Sequence, residues 1–256
     1  EMKESVRVYL NLIREFMITD FKLKYQSSFI GYLWSLLNPL LMFSVLYIVF
    51  TLFARFEIEH YHLFLLLGVI LWGYFAEATT NAMLSMQAKA GIIKKINFPR
   101  EIIVLASNGS TFLTLLLNLV VFFLFAIMSH VTPTIKVLLL PLYFVELVLL
   151  TYGISLLLSA IYVRFIDTLH LWRVFLQMGF WITPIIYPLT MVPQHLQKYI
   201  LLNPLAGLIN QMRDISIYSI VPSITATSIT IVLCVSVYVI GRQAFRKMSP
   251  KFAEWV

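Results

Sequence analysis

Long apolar runs, separated by short polar stretches, dominate this chain. A helix that crosses the hydrocarbon core of a bilayer needs about 20 apolar residues. Runs of that kind predict six transmembrane spans, at residues 33–54, 63–84, 103–128, 137–163, 171–187 and 223–240. The fifth run is the shortest and holds Arg173 near its start and Pro184 near its end, so we expect it to be tilted, broken or sheltered by other helices. The pattern predicts an all-α integral membrane protein with six transmembrane helices.

The stretch before the first span has a helical periodicity of its own. Apolar side chains recur every three or four residues, at Val6, Leu10, Ile13 and Met17, and basic and polar side chains occupy the opposite face. Such a helix buries its apolar face at the lipid surface and turns its charges towards water. Residues 1–20 are therefore predicted to form an amphipathic helix that lies in the cytoplasmic interface.

The connection between spans five and six, residues 188–222, is long and contains four prolines. Asn203 can cap a helix whose first residue is Pro204, which is a favoured combination. We expect two short helices, near 194–202 and 204–217, that dip back into the outer leaflet. The polar face of the second is predicted to hold Asn210, Gln211, Arg213 and Asp214. Two roles stay open for these helices, a plain external cap and an outer gate.

The composition narrows the class of protein. Hydrophobic residues make up 60% of the 256 and charged residues only 12%, against about 45–50% and about 25% in soluble domains. This excludes a soluble enzyme, a disordered tail and a secreted disulfide scaffold. The net charge of +7 comes from separate basic clusters, most of which fall on one side of the predicted spans. Both termini are therefore predicted to be cytoplasmic, with basic residues that meet membrane lipids and with no nucleic-acid partner.

The search for catalytic and metal-binding motifs is negative. The sequence has no H-E-x-x-H, G-x-S-x-G or EF-hand pattern. Gly68 and Gly73 have the spacing of a phosphate-binding loop, but Tyr74 and Phe75 stand where lysine and serine or threonine are required. We therefore predict a protein that is not itself an enzyme, with no catalytic residue, no metal site, no ATPase site and no cofactor of its own.

Polar side chains inside the predicted spans have alternative interpretations. Glu77 in span two and Glu146 in span four could couple transport to an ion or make structural hydrogen bonds. Two polar stripes occur as well, Ser107, Thr111, Thr114 and Asn118 on span three, and Tyr152, Ser155, Ser159 and Tyr162 on span four. Stripes of this kind are typical of helix packing in membranes, and we predict that role for both.

Aromatic residues make up 15% of the chain and are also open to two interpretations. They belong to a belt that faces lipid, or they line a conduit in which their rings stack against sugar rings. Because stacking demands no exact sequence, an aromatic conduit suits a polymer that slides through it. The candidate conduit residues are Phe43, Tyr47 and Phe50 on span one, and Phe180, Trp181 and Tyr187 on span five.

Four segments, in order along the chain, resemble one known family. They are FKLKYQSSFIGYLWSLLNPL at 21–40, KINFPREII at 95–103, TPIIYP at 183–188 and NPLAGLI at 203–209. In this combination the sequence resembles the membrane subunit of type-2 ATP-binding-cassette polysaccharide exporters. The resemblance is greatest to O-antigen exporters, and teichoic-acid exporters are similar.

The resemblance implies a channel-forming permease that works as a homodimer in the bacterial plasma (inner) membrane. Two copies of a separate nucleotide-binding subunit are expected to bind ATP and Mg and to drive export of a glycan linked to polyprenyl pyrophosphate. Residues 88–99 match the family's coupling segment, which contacts the ATPase.

The resemblance also implies roles for individual residues. A pyrophosphate needs cationic donors near the cytoplasmic interface, and the candidates are Arg14, Lys22, Lys24 and Arg100. The candidates for coupling to the ATPase are Lys89, Lys94, Lys95, Asn97, Phe98 and Pro99. Each basic residue could instead set the membrane topology or meet a lipid headgroup. Two other functions stay open for the chain, a type-2 exporter of a drug or small lipid and an ion-coupled secondary carrier.

Overall fold

The structure, a computed structural model, describes residues 2–25, 29–53, 58–95, 98–132 and 134–252. Every regular element in these ranges is helical. The α-helices are α1 (Met2–Tyr25), α2 (Phe29–Phe53), α3 (Tyr61–Ala88), α4 (Ala90–Lys95), α5 (Glu101–Met128), α6 (Leu140–Arg164), α7 (Thr168–Ile182), α8 (Gln194–Ile200), α9 (Pro204–Ser216) and α10 (Ile224–Met248). Short 3₁₀ turns at Ile135–Leu139, Leu189–Met191 and Ser249–Lys251 accompany them.

Four stretches of the described residues are long and apolar enough to cross a membrane. They are Tyr61–Ala88, Glu101–Met128, Ile135–Arg164 and Ile224–Lys251. They overlap the second, third, fourth and sixth predicted spans. Since helices of this length and composition are stable in a bilayer, the predicted all-α integral membrane class is confirmed, and the chain is a multi-pass membrane protein.

The first and fifth predicted spans are also helices, but their limits differ from the prediction. α2 covers the first, whose last residue, Ala54, lies outside the described residues. α7 has 15 residues, about 22 Å of helix, and ends at Ile182. The predicted fifth span was therefore wrong over residues 183–187, which are not helical. Thr183 is extended (φ −76°, ψ 136°) because the ring of Pro184 disfavours helical backbone at the preceding residue.

α3 is the centre of the bundle. α2, α5, α6, α7 and α9 all pack against it, whereas α10 packs on α6 and α1 packs on α5. The leucines in the first three turns of α3 are fully buried; they include Leu63, Leu65, Leu66 and Leu71. Because α3 lies at the centre of the bundle, its few open positions are where a cavity between the helices can form.

The two ends of the bundle are marked by different contacts of α3, an ion pair at one end and a hydrogen bond at the other. After the last turn of α3, Lys89 forms an ion pair with Asp20 of α1, which is longer than the predicted 1–20. At the opposite end of α3, Tyr218, which follows α9, donates a hydrogen bond to the carbonyl oxygen of Glu59. We call these the α1 end and the α9 end. α8 and α9 correspond to the two short helices expected between spans five and six.

Candidate substrate cavity

A cavity of about 1050 Å³ lies between α2, α3, α5 and α7. Gly73, near the middle of α3, borders it. Among the described residues, and apart from the backbone of α3 itself, no heavy atom lies within 4 Å of the position that a Cβ would take at Gly73. The cavity therefore faces an open stretch of the central helix, and it has one polar and one aromatic wall.

The polar wall is formed by α3 and α5. Its side chains are Glu77, Thr80 and Asn81 from α3, and Thr111, Thr114 and Asn118 from α5. Nδ2 of Asn81 donates to Oε1 of Glu77 within α3 at 3.3 Å and to Oγ1 of Thr111 at 3.5 Å, and the second of these hydrogen bonds joins α3 to α5. The α5 stripe, predicted only as packing, thus packs against α3 and also borders the cavity.

An ion pair lies at the α1 end of the cavity. Lys24, in the last turn of α1, pairs with Glu77, and its Nζ donates to Oγ1 of Thr114 at 3.3 Å. The two charged side chains are partly exposed, 29% for Lys24 and 35% for Glu77. Of the basic residues predicted to bind pyrophosphate, Lys24 is the one that the structure places on this cavity. Glu77 was not among the predicted site residues, although it shares a helix face with Gly73 and Thr80.

The aromatic wall combines side chains of three helices, Trp34 of α2, Trp72 of α3, and Phe180 and Trp181 of α7. The rings of Trp72 and Phe180 meet edge to face with 6.1 Å between centroids, and those of Phe180 and Trp181 are 5.6 Å apart. Trp181 is 55% exposed, so much of its ring is open to a ligand. The structure thus brings two of the predicted conduit residues, Phe180 and Trp181, together on the cavity.

The other four predicted conduit residues lie elsewhere. Phe43 is buried and stacks on Tyr47 with 5.6 Å between ring centroids, and Phe50 packs against the same apolar core. Tyr187 lies beyond the end of α7, where its hydroxyl donates to the carbonyl oxygen of Ile182 at 2.9 Å. The structure does not bring these side chains to the cavity, and a conduit role for them stays a prediction.

The remaining basic candidates for pyrophosphate are dispersed. Arg14 and Lys22 are exposed on α1. The guanidinium of Arg100 lies 5.9 Å from the ring centroid of Phe252, near the C-terminal end of α10. These three do not line the cavity with Lys24, so the structure gives no single four-residue cluster for a pyrophosphate.

The predicted coupling segment, residues 88–99, connects α3 to α5 at the α1 end. Lys94, Lys95 and Pro99 are exposed, Phe98 is half-buried, and Asn97 lies outside the described residues. Lys89 differs from them, because its Nζ donates to both carboxylate oxygens of Asp20 at 2.7 Å. Lys89 therefore joins the coupling segment to α1 instead of facing solvent.

A second cavity, of about 280 Å³, lies near the α9 end and is bordered by His60, His62 and Tyr47. Nε2 of His62 lies 2.7 Å from Oγ of Ser129. In the parts of the chain that the structure describes, no three His, Cys, Asp or Glu side chains come together as metal ligands. His62 thus makes a hydrogen bond to Ser129, its ring also contacts that of Tyr47, and the rings of His60 and His62 contact each other.

The environment of Arg213 in the structure differs strongly from the one that the sequence predicts. Its position on the polar face of α9 predicts exposure, yet its side chain is 1% exposed, and Gln211 is also buried. Burial lowers the pKa of Arg213 to about 9. A pKa of about 9 still lies above neutral pH, so the guanidinium is charged there, and its nitrogens donate three hydrogen bonds to backbone carbonyls.

The four membrane-length helices define a multi-pass membrane protein, in which a two-walled cavity lies between α2, α3, α5 and α7. Residues 11–217 match the ABC-2 type transporter family, and the chain belongs to that family. Its members are transmembrane components that normally work with an ATP-binding subunit. The resemblance to type-2 ATP-binding-cassette permeases is confirmed.

The chain is similar over most of its length to three O-antigen export permeases. Two O-antigen export system permease proteins RfbA from Klebsiella pneumoniae are each 32% identical to it, over 99% of this chain and 98% of the relative. A third, the O-antigen export system permease protein RfbA of Myxococcus xanthus, is 26% identical over 81% of this chain and 80% of the relative.

Proposed function

We propose that this chain is the channel-forming subunit of an ATP-driven exporter that moves a polysaccharide of the O-antigen type across the bacterial inner membrane. The cargo is linked to polyprenyl pyrophosphate. Two copies of the chain assemble with two copies of an ATP-binding subunit, which holds ATP and Mg. The similarity to O-antigen export permeases over 99% of the chain supports this cargo.

The observation that carries the proposal is the two-sided lining of the cavity between α2, α3, α5 and α7. A sugar ring has an apolar face of C–H groups and a rim of hydroxyls. Trp34 and Trp181 offer exposed rings for the first, and Thr80 and Asn81 offer hydroxyl and amide groups for the second. A path for a drug or a small lipid has no need of a continuous amide and hydroxyl wall, so this lining favours the glycan.

The charged end of the cavity suits the anionic part of the cargo. Lys24 is held at the α1 end by Glu77 and Thr114, in a position that is partly exposed. An ammonium group there can exchange its carboxylate partner for a phosphate oxygen, since both are strong acceptors for a charged donor. In this arrangement the pyrophosphate binds at the α1 end, and the sugars lie along the two walls.

The membrane arrangement that fits this function has six spans, with α2 and α7 as the first and fifth. The α1 end is cytoplasmic and holds both termini, and α8 and α9 form an outer gate. α2 and α7 expose long apolar faces to their surroundings; these include Leu41, Val45, Ile48, Val174, Phe175 and Met178. A second copy packed on part of these faces widens the path to a channel, and lipid covers the rest.

Coupling to ATP hydrolysis acts through the segment between α3 and α5. Its exposed Lys94, Lys95 and Pro99 offer a surface to the ATP-binding subunit. A displacement of this segment reaches α1 through the ion pair of Lys89 with Asp20. Because α1 also holds Lys24, the cargo end of the cavity moves with the coupling segment.

The test is ATP-dependent export in proteoliposomes that contain the chain and its ATP-binding subunit, with a polyprenyl-pyrophosphate-linked oligosaccharide as cargo. Trp181→Ala removes the exposed ring from the cavity and should lower the export rate at least about tenfold. The matched control is Phe165→Ala, since Phe165 precedes α7, is 55% exposed as Trp181 is, and does not border the cavity.

Assembly with the ATP-binding subunit should be normal in both variants. Equal export by Trp181→Ala and wild type would remove the cavity from the transport path. Transport by the chain alone, driven by a pH gradient without the ATP-binding subunit, would instead establish the ion-coupled carrier. Export of an uncharged lipid in preference to the glycan would establish the small-lipid exporter.

A further inference from the structure

Arg213 of α9 makes an unusual set of contacts at the α9 end of the bundle. Its Nε donates to the carbonyl oxygen of Phe64 at 3.0 Å, its Nη1 to that of Pro184 at 2.6 Å, and its Nη2 to that of Ile185 at 2.7 Å. The guanidinium also lies 3.4 Å from the ring centroid of Phe64. One buried side chain therefore joins α9, α3 and the segment that follows α7.

Two of the three carbonyls that Arg213 binds, those of Pro184 and Ile185, belong to backbone outside the helices. α7 ends at Ile182, and the residues after it are turned and buried, with Ile185 fully inaccessible. Buried carbonyl groups need hydrogen-bond donors, and the planar guanidinium supplies several from one position. A second residue of α9 assists, since Nδ2 of Asn203 donates to Oγ1 of Thr183 at 3.2 Å. α9 thus holds the end of α7 at two points.

The end of α7 carries the aromatic wall of the cavity. Phe180 and Trp181 lie in its last turn, immediately before the segment that Arg213 holds. Trp72 of α3 contacts the same turn so closely that a Cβ on Gly179 would lie 2.9 Å from its ring. The position of this turn, and with it the direction of the Trp181 ring, depends on where the following backbone is held.

We propose that Arg213 is a positioning residue for transport, which fixes the α9 end of α7 and so sets the aromatic wall of the cavity. The inference rests on the proposed function, because it assigns the cavity to the cargo. Gly68 on α3 is needed for these contacts of Arg213, because a Cβ at this position would overlap Nη2 of Arg213. The absence of a side chain at Gly68 is what gives the guanidinium its room.

The first experiment measures amide hydrogen exchange of the full chain in lipid nanodiscs, and it needs no cargo. Arg213→Met should speed exchange in residues 179–187 at least about tenfold, because three hydrogen bonds to a charged group are lost, while α5 and α10 keep their protection. Gly68→Ala should give the same local pattern, because its methyl group would overlap Nη2 of an unchanged arginine and lie 3.2 Å from the Ile185 carbonyl oxygen that Nη2 binds. Gly73→Ala, on the same helix but with open space around it, is the matched control and should exchange like wild type.

Arg213→Lys keeps the positive charge but removes the planar guanidinium, so it tests the two contributions separately. A single ammonium nitrogen cannot occupy the three positions of Nε, Nη1 and Nη2, so we expect exchange closer to that of Arg213→Met. Full protection in Arg213→Lys, or faster exchange spread evenly over the bundle in Gly68→Ala, would overturn the proposal. Because Arg213→Met can fail to fold, Gly68→Ala supplies the decisive comparison in that case.

The second experiment measures export in proteoliposomes with the ATP-binding subunit. A misplaced aromatic wall should raise the KM for the polyprenyl-pyrophosphate-linked oligosaccharide at least about fivefold with little change in the maximal ATPase rate. A variant that is merely less stable loses maximal rate and keeps its KM. An unchanged KM in Gly68→Ala would overturn the positioning role. If wild-type vesicles export no glycan at all, the proposed function fails by itself, and the exchange result alone decides whether Arg213 holds α7.

Discussion

Gly241 of α10 lies directly against Gly153 of α6. A Cβ on Gly241 would overlap the carbonyl oxygen of Gly153, and a Cβ on Gly153 would lie 2.6 Å from Cα of Tyr238. Tyr152 and Tyr238 stack beside this crossing with 5.9 Å between ring centroids. The two helices are therefore in backbone contact, which is how membrane helices gain van der Waals attraction in the absence of a hydrophobic driving force.

This crossing predicts a strong effect of a single methyl group. Gly241→Ala should destabilise the chain by about 1–3 kcal/mol, because the added methyl group would overlap the backbone of Gly153, which cannot move aside as a flexible side chain can. Thermal unfolding in detergent measures it, as a lower midpoint. The control is Gly91→Ala on α4, where a Cβ has open space among the described residues; alanine there should be neutral or slightly stabilising. Equal midpoints for the two variants would contradict the close crossing.

The sequence predicts the helices well because the bilayer constrains them so strongly. A run of about 20 apolar residues has few alternatives to a membrane-length helix, and Glu101–Met128 and Ile224–Lys251 lie where such runs occur. The limits of α7 were harder to predict, since the apolar run continues to Tyr187 while the backbone leaves the helix before Pro184. Hydropathy measures how apolar the residues are and therefore does not predict where the helical backbone ends.

The cavity was predictable only in part. Trp181 was a candidate because aromatic side chains bind sugar rings, but the same argument selected Phe43, which is buried. Which face of a helix is open depends on the tertiary register of its neighbours. The same holds for Arg213, whose acceptors come from Phe64 and Pro184, far from it and from each other in the sequence. Periodicity within α9 reports none of these long-range contacts.

The ion pair of Asp20 with Lys89 predicts coupling between α1 and the segment that follows α3. The side chains are 20% and 12% exposed, so solvent screens the pair only partly. Asp20→Lys and Lys89→Asp should each lower export per ATP hydrolysed several-fold, and the double variant should recover it, with a coupling free energy of about 1–2 kcal/mol. Glu15→Lys, an exposed change on the same helix, is the control. Losses that simply add in the double variant would show that the pair does not carry the coupling.

Glu146 provides a test of the ion-coupled alternative. It lies in α6 and is 4% exposed, and Thr230 is the hydroxyl that lies close to its carboxyl group, whose oxygens make no hydrogen bond within 3.5 Å among the described residues. An isolated carboxylate is costly in a membrane interior, and an amide of the same shape avoids that cost. Glu146→Gln should therefore fold with at least wild-type thermal stability and keep ATP-driven export within about twofold. Export is compared with and without a pH gradient. Loss of export in the variant, together with gradient-dependent export by wild type, would favour proton coupling.

The open space beside Gly73 predicts that a large side chain there can block the cavity without disturbing the fold. Gly73 is exposed in the middle of α3, and no described atom outside the backbone of α3 lies within 4 Å of a Cβ built there. Gly73→Trp should place a ring in the cavity of about 1050 Å³ while the packing of α3 on α5 and α6 stays intact. We expect export of the linked oligosaccharide to fall more than about tenfold, with the unfolding midpoint kept within a few degrees because no buried contact is lost.

The comparison that gives this result its meaning is Gly73→Ala, which adds one methyl group and leaves most of the cavity open. Alanine and tryptophan both favour a helix more than glycine does, so a loss of export in the tryptophan variant cannot come from weaker helix formation. Export and cargo-stimulated ATPase activity are measured in the same vesicles. If the tryptophan variant exports at the wild-type rate, the cargo passes outside this cavity, and the proposed transport path is wrong.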